Sequence, residues 1–166
     1  MKKYLLPVLL ACVCGFALAI FLPLRLCLTV TDARGKCVWA QPVSIGDRYT
    51  IRFIHSVMRT PVDEIYEIDK DCSVLRETVY DMVGAGLPSA PEEGQTFSIE
   101  DDKFHIRGYS LRIPDLTYRI NMVVADHELL FDGRSYKLKE WIGKPGEPLT
   151  FRVERKSFYD LFNNSR

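Results

Sequence analysis

The sequence predicts an all-β domain, an antiparallel sandwich or partly closed barrel, preceded by one N-terminal transmembrane helix. Three observations predict this fold. An uncharged apolar run occupies residues 4–24. From residue 26 onward, short stretches rich in Val, Ile, Tyr, Phe and Thr recur about every ten residues, separated by Gly, Asp and Pro. Outside 156–166, no part of this region shows a helical period.

The apolar run indicates the compartment. It lies between Lys3 and Arg25, and an apolar helix of about 20 residues crosses about 30 Å of hydrocarbon. A cleaved signal peptide is the alternative, because Ala17-Leu18-Ala19 has the form of a cleavage site. The length of the run favours a retained signal anchor. We therefore expect residues 1–25 to anchor the chain in the cytoplasmic membrane, with the domain facing the periplasm or cell exterior. If the segment is cleaved instead, the domain is expected to be secreted or periplasmic.

Length and charge limit the remaining organisation. A chain of 166 residues has room for one domain after the N-terminal segment, which we place at 26–155. The tail, 156–166, is expected to hold a short helix at most. Lys plus Arg and Asp plus Glu both total 22, so no net field attracts a polyanion, and no nucleic-acid partner is expected.

The candidate strands alternate with residues typical of turns. Asp101-Asp102 and Asp132-Gly133 suit tight hairpins, whereas the Gly- and Pro-rich stretch at 84–95 must be a loop. In chain order the predicted strands are Leu26–Thr31, Cys37–Gln41, Arg48–His55, Asp63–Asp69, Val74–Met82, Thr96–Ile99, Phe104–Tyr109, Tyr118–Ala125, Glu128–Phe131, Ser135–Trp141 and Leu149–Arg155.

Two cysteines lie well inside the domain, Cys37 and Cys72. An oxidising compartment would permit a disulfide between them. Two buried thiols that act as small apolar residues are the equal alternative.

The stretch RFIHSVMRTPVDEIYEI at 52–68 contains the most suggestive polar residues. Side chains alternate along a strand, so His55 shares the apolar side of its strand with Ile51 and Phe53 and is expected to point inward. Neighbouring strands usually pair. His55 is therefore expected to meet Glu64 or Glu77 near the loop that starts at residue 84.

The sequence also resembles a known family here. FIHSVMRTPVDEIYEI and LRETVYDMVGAGLP resemble the core of the bacterial domain-of-unknown-function family 1850, which contains small exported proteins with an N-terminal hydrophobic segment. The resemblance covers residues 45–90. It implies genomic association with, or fusion to, membrane subunits of the TAXI type of tripartite ATP-independent periplasmic (TRAP) transporters. It implies no fold, activity or catalytic residue.

Several residues of this stretch are candidates for a ligand site. Gly84 and Gly86 permit a backbone nest that holds an anion, although a plain tight turn also explains them. The remaining candidates are the wall residues His55, Ser56, Glu64 and Glu77 and the cations Arg59 and Arg76. An organic acid is the solute class that the resembling transporters imply.

Metal and covalent chemistry are weaker interpretations of the same residues. His55, Glu64 and Glu77 offer ligands suited to zinc, manganese or iron, but their spacing is not diagnostic. Ser56 is adjacent to His55 on a strand, and no GxSxG elbow is present. His105 and His127 lack partners at ligand spacing and are expected at the surface.

The leading functional hypothesis is a non-enzymatic accessory module. It would bind a TRAP-type membrane subunit, its solute receptor or the solute itself, with no cofactor. A metal-dependent enzyme using His55, Glu64 and Glu77 is one alternative, and a structural envelope protein is another.

Overall fold

The computed structural model describes residues 22–81, 87, 90–121 and 125–164, with Leu10, Gly15 and Ile20. This part of the chain forms eleven strands and a C-terminal helix. The strands are β1 (Arg25–Thr31), β2 (Cys37–Pro42), β3 (Arg48–Ile54), β4 (Pro61–Ile68), β5 (Ser73–Tyr80), β6 (Thr96–Glu100), β7 (Lys103–Ile113), β8 (Asp115–Arg119), β9 (Glu128–Phe131), β10 (Arg134–Lys137) and β11 (Pro148–Lys156).

All strand pairs in the two sheets are antiparallel. One sheet has four strands in the order β2-β1-β11-β8, and the other has seven in the order β10-β9-β3-β4-β5-β7-β6. The predicted all-β fold is therefore confirmed. The described strands form two separate sheets and no closed barrel.

The main core fills the space between the two sheets. Tyr49 and Ile51 of β3 face Leu28 of β1 and Phe151 of β11, and all four side chains are buried. The Tyr49 ring stacks on Tyr66, with centroids 5.3 Å apart, and on Phe151, with centroids 6.2 Å apart. Burial of such large side chains is worth about 1.5–3 kcal/mol each relative to exposure, which makes this core the main source of stability.

A second, smaller apolar cluster lies on the β5-β7-β6 side of the larger sheet. Val62, Tyr80 and Ile106 are its buried members, and Phe97 and Phe104 pack against them. Their rings adjoin, with 5.8 Å between the centroids of Tyr80 and Phe104.

Two of the turns have the tight hairpin geometry that their sequences predict. Asp101 and Asp102 connect β6 to β7 with φ of 50° and 62°, and Asp132 and Gly133 connect β9 to β10 with φ of 49° and 70°. Positive φ at both central residues is the geometry of a type I′ hairpin, which Asp and Gly favour.

Some predicted boundaries are wrong. The strand expected at Tyr118–Ala125 is β8 at Asp115–Arg119, and the one expected at Ser135–Trp141 ends at Lys137, where a 3₁₀-helix, Leu138–Trp141, begins. A seven-residue helix, α1, occupies Phe158–Asn164 in the C-terminal tail. Among the described residues no helix is both long and apolar enough to span a bilayer, and most of 4–24 lies outside those residues.

The strand directions give the domain two ends. The starts of β1 and β3 and the end of β11 lie at one end, which we call the proximal end because the N-terminal segment enters there. The other end, the distal end, carries the turn between β3 and β4, the end of β5 and the residues before β9.

Candidate functional site

The distal turn between β3 and β4 is organised around His55. Its Nδ1 accepts hydrogen bonds from the backbone N–H groups of Val57 and Met58, at 3.3 and 3.2 Å. Its own backbone N–H donates to the carbonyl of Thr60 at 2.9 Å. Nδ1 therefore carries no proton, and the imidazole closes the turn.

Ser56 and Arg59 are exposed in the same turn. Arg59 has a φ of 59°, a left-handed conformation that is uncommon for residues other than glycine. The turn thus presents a cation at the distal surface, next to the histidine that holds its backbone.

Glu64 lies on the inner face of the larger sheet. The hydroxyl of Tyr66 lies 2.9 Å from its Oε2, and Tyr118 of the smaller sheet also contacts that oxygen. The two tyrosine hydroxyls are 2.7 Å from each other. Burial and the adjacent Glu64 carboxylate raise the pKa of both tyrosines, so both stay protonated donors. These contacts form a polar link between the sheets.

Glu77 lies on the outer face of the same sheet. Its Oε1 is 2.7 Å from Nδ1 of His105 and 2.8 Å from Nε of Arg107, and Arg107 also pairs with Glu100 at 2.6 Å. Arg76 also lies on the outer face, because the β4–β5 register skips it at a bulge between Leu75 and Glu77, and it pairs with Glu67 at 3.0 Å. His105, expected to have no partner, belongs to this ionic network.

The expectation that His55, Glu64 and Glu77 share one wall is therefore corrected. In the β4–β5 register, Glu64 pairs with Thr78 and Ile65 pairs with Glu77. Neighbouring residues on a strand point to opposite faces, so the sheet separates the two carboxylates. Among the described residues, no three His, Cys, Asp or Glu side chains converge on a position for a metal ion.

Gly84 and Gly86, the predicted anion nest, lie outside the described residues. The candidate disulfide is not formed, because Cys37 and Cys72 are both free thiols. Cys37 lies on β2 of the smaller sheet, and Cys72 lies in the turn before β5 of the larger sheet.

His127 is buried, contrary to its expected surface position. It is 7% exposed, and its ring centroid lies 5.6 Å from those of Phe53 and Tyr118. Burial lowers the pKa of the imidazole, and the Asp126 carboxylate opposes this to a lesser extent. His127 is therefore neutral at neutral pH, and its buried Nδ1 has no hydrogen-bond partner among the described residues.

Within the part of the chain that the structure describes, two further buried atoms have no hydrogen-bond partner, Oγ1 of Thr60 and Oδ1 of Asp81. Thr60 precedes β4, and Asp81 follows β5, whose last residue Tyr80 pairs with Val62. The backbone N–H of Ile54, at the end of β3, donates to the carbonyl of Ala125 at 2.8 Å, two residues before His127. The three atoms therefore belong to segments that meet at the distal end, and we call Thr60, Asp81 and His127 the distal cluster. His127 faces the space between the sheets, where its ring packs on Tyr118. Asp81 follows the buried Tyr80 and acts electrostatically on Arg52, so it faces the outer side of the same edge.

The distal cluster has a specific chemical capacity. A threonine hydroxyl donates and accepts, an ionised carboxylate accepts, and a neutral imidazole nitrogen does one or the other according to its tautomer. Each buried polar group left without a partner costs about 1–3 kcal/mol. A polar ligand or the backbone of a partner protein that reaches one or more of these atoms at the distal edge would recover part of that free energy.

Comparison with protein families identifies the chain. The sequence profile of the family described as domain of unknown function (DUF1850) matches residues 49–138, which is more than half of the 166 residues. The chain belongs to the DUF1850 family. Comparison with curated proteins and with solved structures gives no match.

The DUF1850 match coincides with the larger sheet. Residues 49–138 include nearly all of β3 and all six remaining strands of the seven-stranded sheet. They also include β8 of the smaller sheet. β1, β2 and β11 lie outside the match. The polar link at Glu64 and the distal cluster both fall inside it.

Sequence reasoning found Glu64 but missed Tyr118 and His127. Alternation carried the signal for both. His127 is two residues before Leu129, which is fully buried, and Tyr118 lies between the buried residues Leu116 and Ile120. The period of two thus placed both side chains inward.

Proposed function

We propose that this DUF1850 protein is a membrane-anchored, extracytoplasmic accessory module that binds a component of a TAXI-type TRAP solute transporter. The binding surface is the distal end of the domain. The protein acts by binding and requires neither a cofactor nor a covalent step.

The distal cluster is the observation that carries this proposal. Three buried polar atoms lack partners among the described residues, on segments that meet at one end of the sheet. Native proteins satisfy most of their buried polar groups, so a cluster of exceptions suggests a surface that is completed by another molecule. Arg59, exposed in the adjacent turn, supplies a positive charge for an organic acid or for an acidic segment of a partner.

The order of the sequence supports an anchor. The uncharged run 4–24 is followed directly by β1, which begins at Arg25. A retained anchor would hold the proximal end near the bilayer and leave the distal end free to contact transporter subunits. The transporter itself is inferred from the association that the family resemblance implies.

The geometry favours this proposal over the metal-dependent alternative. That alternative needed His55, Glu64 and Glu77 to converge, but Glu64 and Glu77 lie on opposite faces of the sheet. His55 uses its Nδ1 to accept hydrogen bonds within its own turn.

Affinity purification tests the proposal. Tagged full-length protein would be recovered from its native membranes in a mild detergent, and the TRAP membrane subunit and solute receptor would be quantified by mass spectrometry. We expect wild-type protein to recover at least one of them and Asp81→Asn to recover much less. Asp71→Asn is the matched control, because Asp71 is an exposed residue at the proximal end.

Two results would contradict the proposal. If wild-type protein recovers no transporter component, the proposed binding partner is wrong. Equal recovery by Asp81→Asn and Asp71→Asn, with both variants folded, would remove the distal cluster from the interface.

A further inference from the structure

Exposed apolar side chains gather at the proximal end of the domain. Leu24 is 57% exposed and Phe158 of α1 is 46% exposed. They belong to a group that we call the proximal apolar rim, which consists of Leu22, Leu24, Ile45, Phe158 and Tyr159.

Hydrogen bonds and ring contacts fix these residues at one level. The guanidinium of Arg25 lies 4.6 Å from the ring centroid of Phe158, and Arg155 donates to the carbonyl of Leu24 at 3.0 Å. The backbone N–H of Val43 donates to the carbonyl of Leu26 at 2.9 Å, which brings the segment containing Ile45 level with the start of β1.

Hydrogen bonds cap the first turn of helix α1. The Ser157 hydroxyl accepts from the backbone N–H of Asp160 at 3.1 Å, and the Asp160 carboxylate accepts from the backbone N–H of Ser157 at 3.1 Å. This reciprocal arrangement is a capping box. It fixes the direction in which Phe158 and Tyr159 are presented.

We infer that the proximal apolar rim lies in the interfacial region of the lipid bilayer, with α1 against the membrane surface. The inference rests on the proposed function, because it requires the run 4–24 to be retained as an anchor.

Chain length supports a lipid surface as the occupant. Residues 22–24 are not helical, so a retained anchor helix would be confined to 4–21 and would be about 27 Å long at about 1.5 Å per residue, close to the roughly 30 Å of bilayer hydrocarbon. Only residues 22–24 would separate such a helix from β1, which begins at Arg25. The headgroup region adds only about 5–7 Å on each side, so residues in contact with Arg25 lie within or beside it.

The chemistry of the rim fits that environment. Tyrosine is enriched at membrane–water interfaces, where its ring is apolar and its hydroxyl is hydrated. Arg25 and Arg155 are exposed at this level and can reach lipid phosphates. Two acids of this region are already engaged, since Asp160 caps α1 and Glu154 pairs with Lys156 at 3.1 Å.

A matched control position exists at the distal end. Val57 is 69% exposed in the His55 turn, beyond the end of β3. A seven-residue strand is about 23 Å long at about 3.3 Å per residue. Val57 is therefore exposed and apolar like Phe158 but is expected to lie far from the bilayer.

Photo-crosslinking in phosphatidylcholine vesicles tests the inference. Benzoylphenylalanine would replace Phe158, Tyr159 or Val57 in the full-length chain, and adducts would be identified by mass spectrometry after illumination. We expect lipid adducts at 158 and 159 and none above background at 57. Carbonate extraction of the same vesicles reports on the anchor separately.

Each other outcome overturns a defined part of the account. Suppose that carbonate does not extract the protein, so that the anchor is retained. Lipid adducts at all three positions, or at none of them, would then contradict the placement of the proximal apolar rim at the bilayer. Adducts between protein molecules at 158 would make the rim a protein interface. Release of the full-length protein by carbonate would overturn both the anchor and the docking.

Discussion

The hydroxyl oxygens of Tyr66 and Tyr118 lie 2.7 Å apart, and this contact joins the seven-stranded sheet to the four-stranded sheet. Both hydroxyls also contact Glu64. A carboxylate that faces the space between two sheets is costly unless it is hydrogen-bonded. The two tyrosines supply those bonds and thereby fix how the sheets pack.

Tyr118→Phe tests this link. The substitution keeps the ring but removes one donor to a charged group, so we expect the free energy of unfolding to fall by about 1.5–3 kcal/mol. Urea denaturation measures the change. Tyr136→Phe is the control, because the Tyr136 ring packs on Trp39 and Trp141 and no hydrogen bond of its hydroxyl is found among the described residues. Equal losses in the two variants would contradict a special role for Tyr118.

His127 predicts a pH dependence of stability. Burial lowers the pKa of the folded imidazole, while the unfolded value is about 6.5. As pH falls through about 6.5, the unfolded chain takes up a proton that the folded chain does not, so stability decreases until the folded pKa is reached. Urea midpoints at about pH 7.5 and about pH 5.5 should differ more in wild type than in His127→Gln. The same difference in both proteins would contradict the prediction.

The backbone of Gly108 lies so close to that of Gly94 that a side chain at position 108 should be destabilising. It has a φ of 93°, and a Cβ there would lie 2.5 Å from the carbonyl oxygen of Gly94. Gly46 has the same φ, with nothing within 4 Å of its Cβ position. We expect Gly46→Ala to cost about 1–3 kcal/mol for the backbone conformation alone, and Gly108→Ala to cost clearly more. Thermal unfolding of the pair measures the difference, and equal costs would remove the steric explanation.

Glu100 tests the ionic network on the outer face. Side-chain hydrogen bonds from Arg107 and then Ser98 lower the pKa of this carboxyl to about 2. Carbon-detected NMR titration should show Glu100 ionised well below the usual range. In Arg107→Gln its pKa should rise toward the ordinary value of about 4.3. A pKa that is ordinary in wild type would contradict the contacts of Arg107 with Glu100.

The fold was predictable because its signals are local. Alternation along RYTIRFIHS identified β3 and its inner face, and Asp132-Gly133 identified a hairpin whose geometry needs positive φ. The site was less predictable because it depends on register. Whether Glu64 and Glu77 share a face is decided by the bulge in the β4–β5 pairing, and no property of either residue reports that offset.

Dependence on distant parts of the fold also explains why the burial of His127 was not predicted. We expected a surface position, although alternation with Leu129 was a signal for an inward side chain. The depth of the position depends on Tyr118, which comes from the other sheet. Contacts between sheets are set by packing over the whole domain. A single sequence contains no direct record of them.

Photo-crosslinking at the distal end of the domain in native membranes tests the central claim most directly. Benzoylphenylalanine at Val57, in the exposed turn beside the distal cluster, should form an adduct with a TRAP membrane subunit or solute receptor. The adduct should weaken when Asp81→Asn is added. The account would be contradicted if the probe at position 57 formed no protein adduct while a probe at position 71 captured the transporter. The partner would then bind away from the distal end.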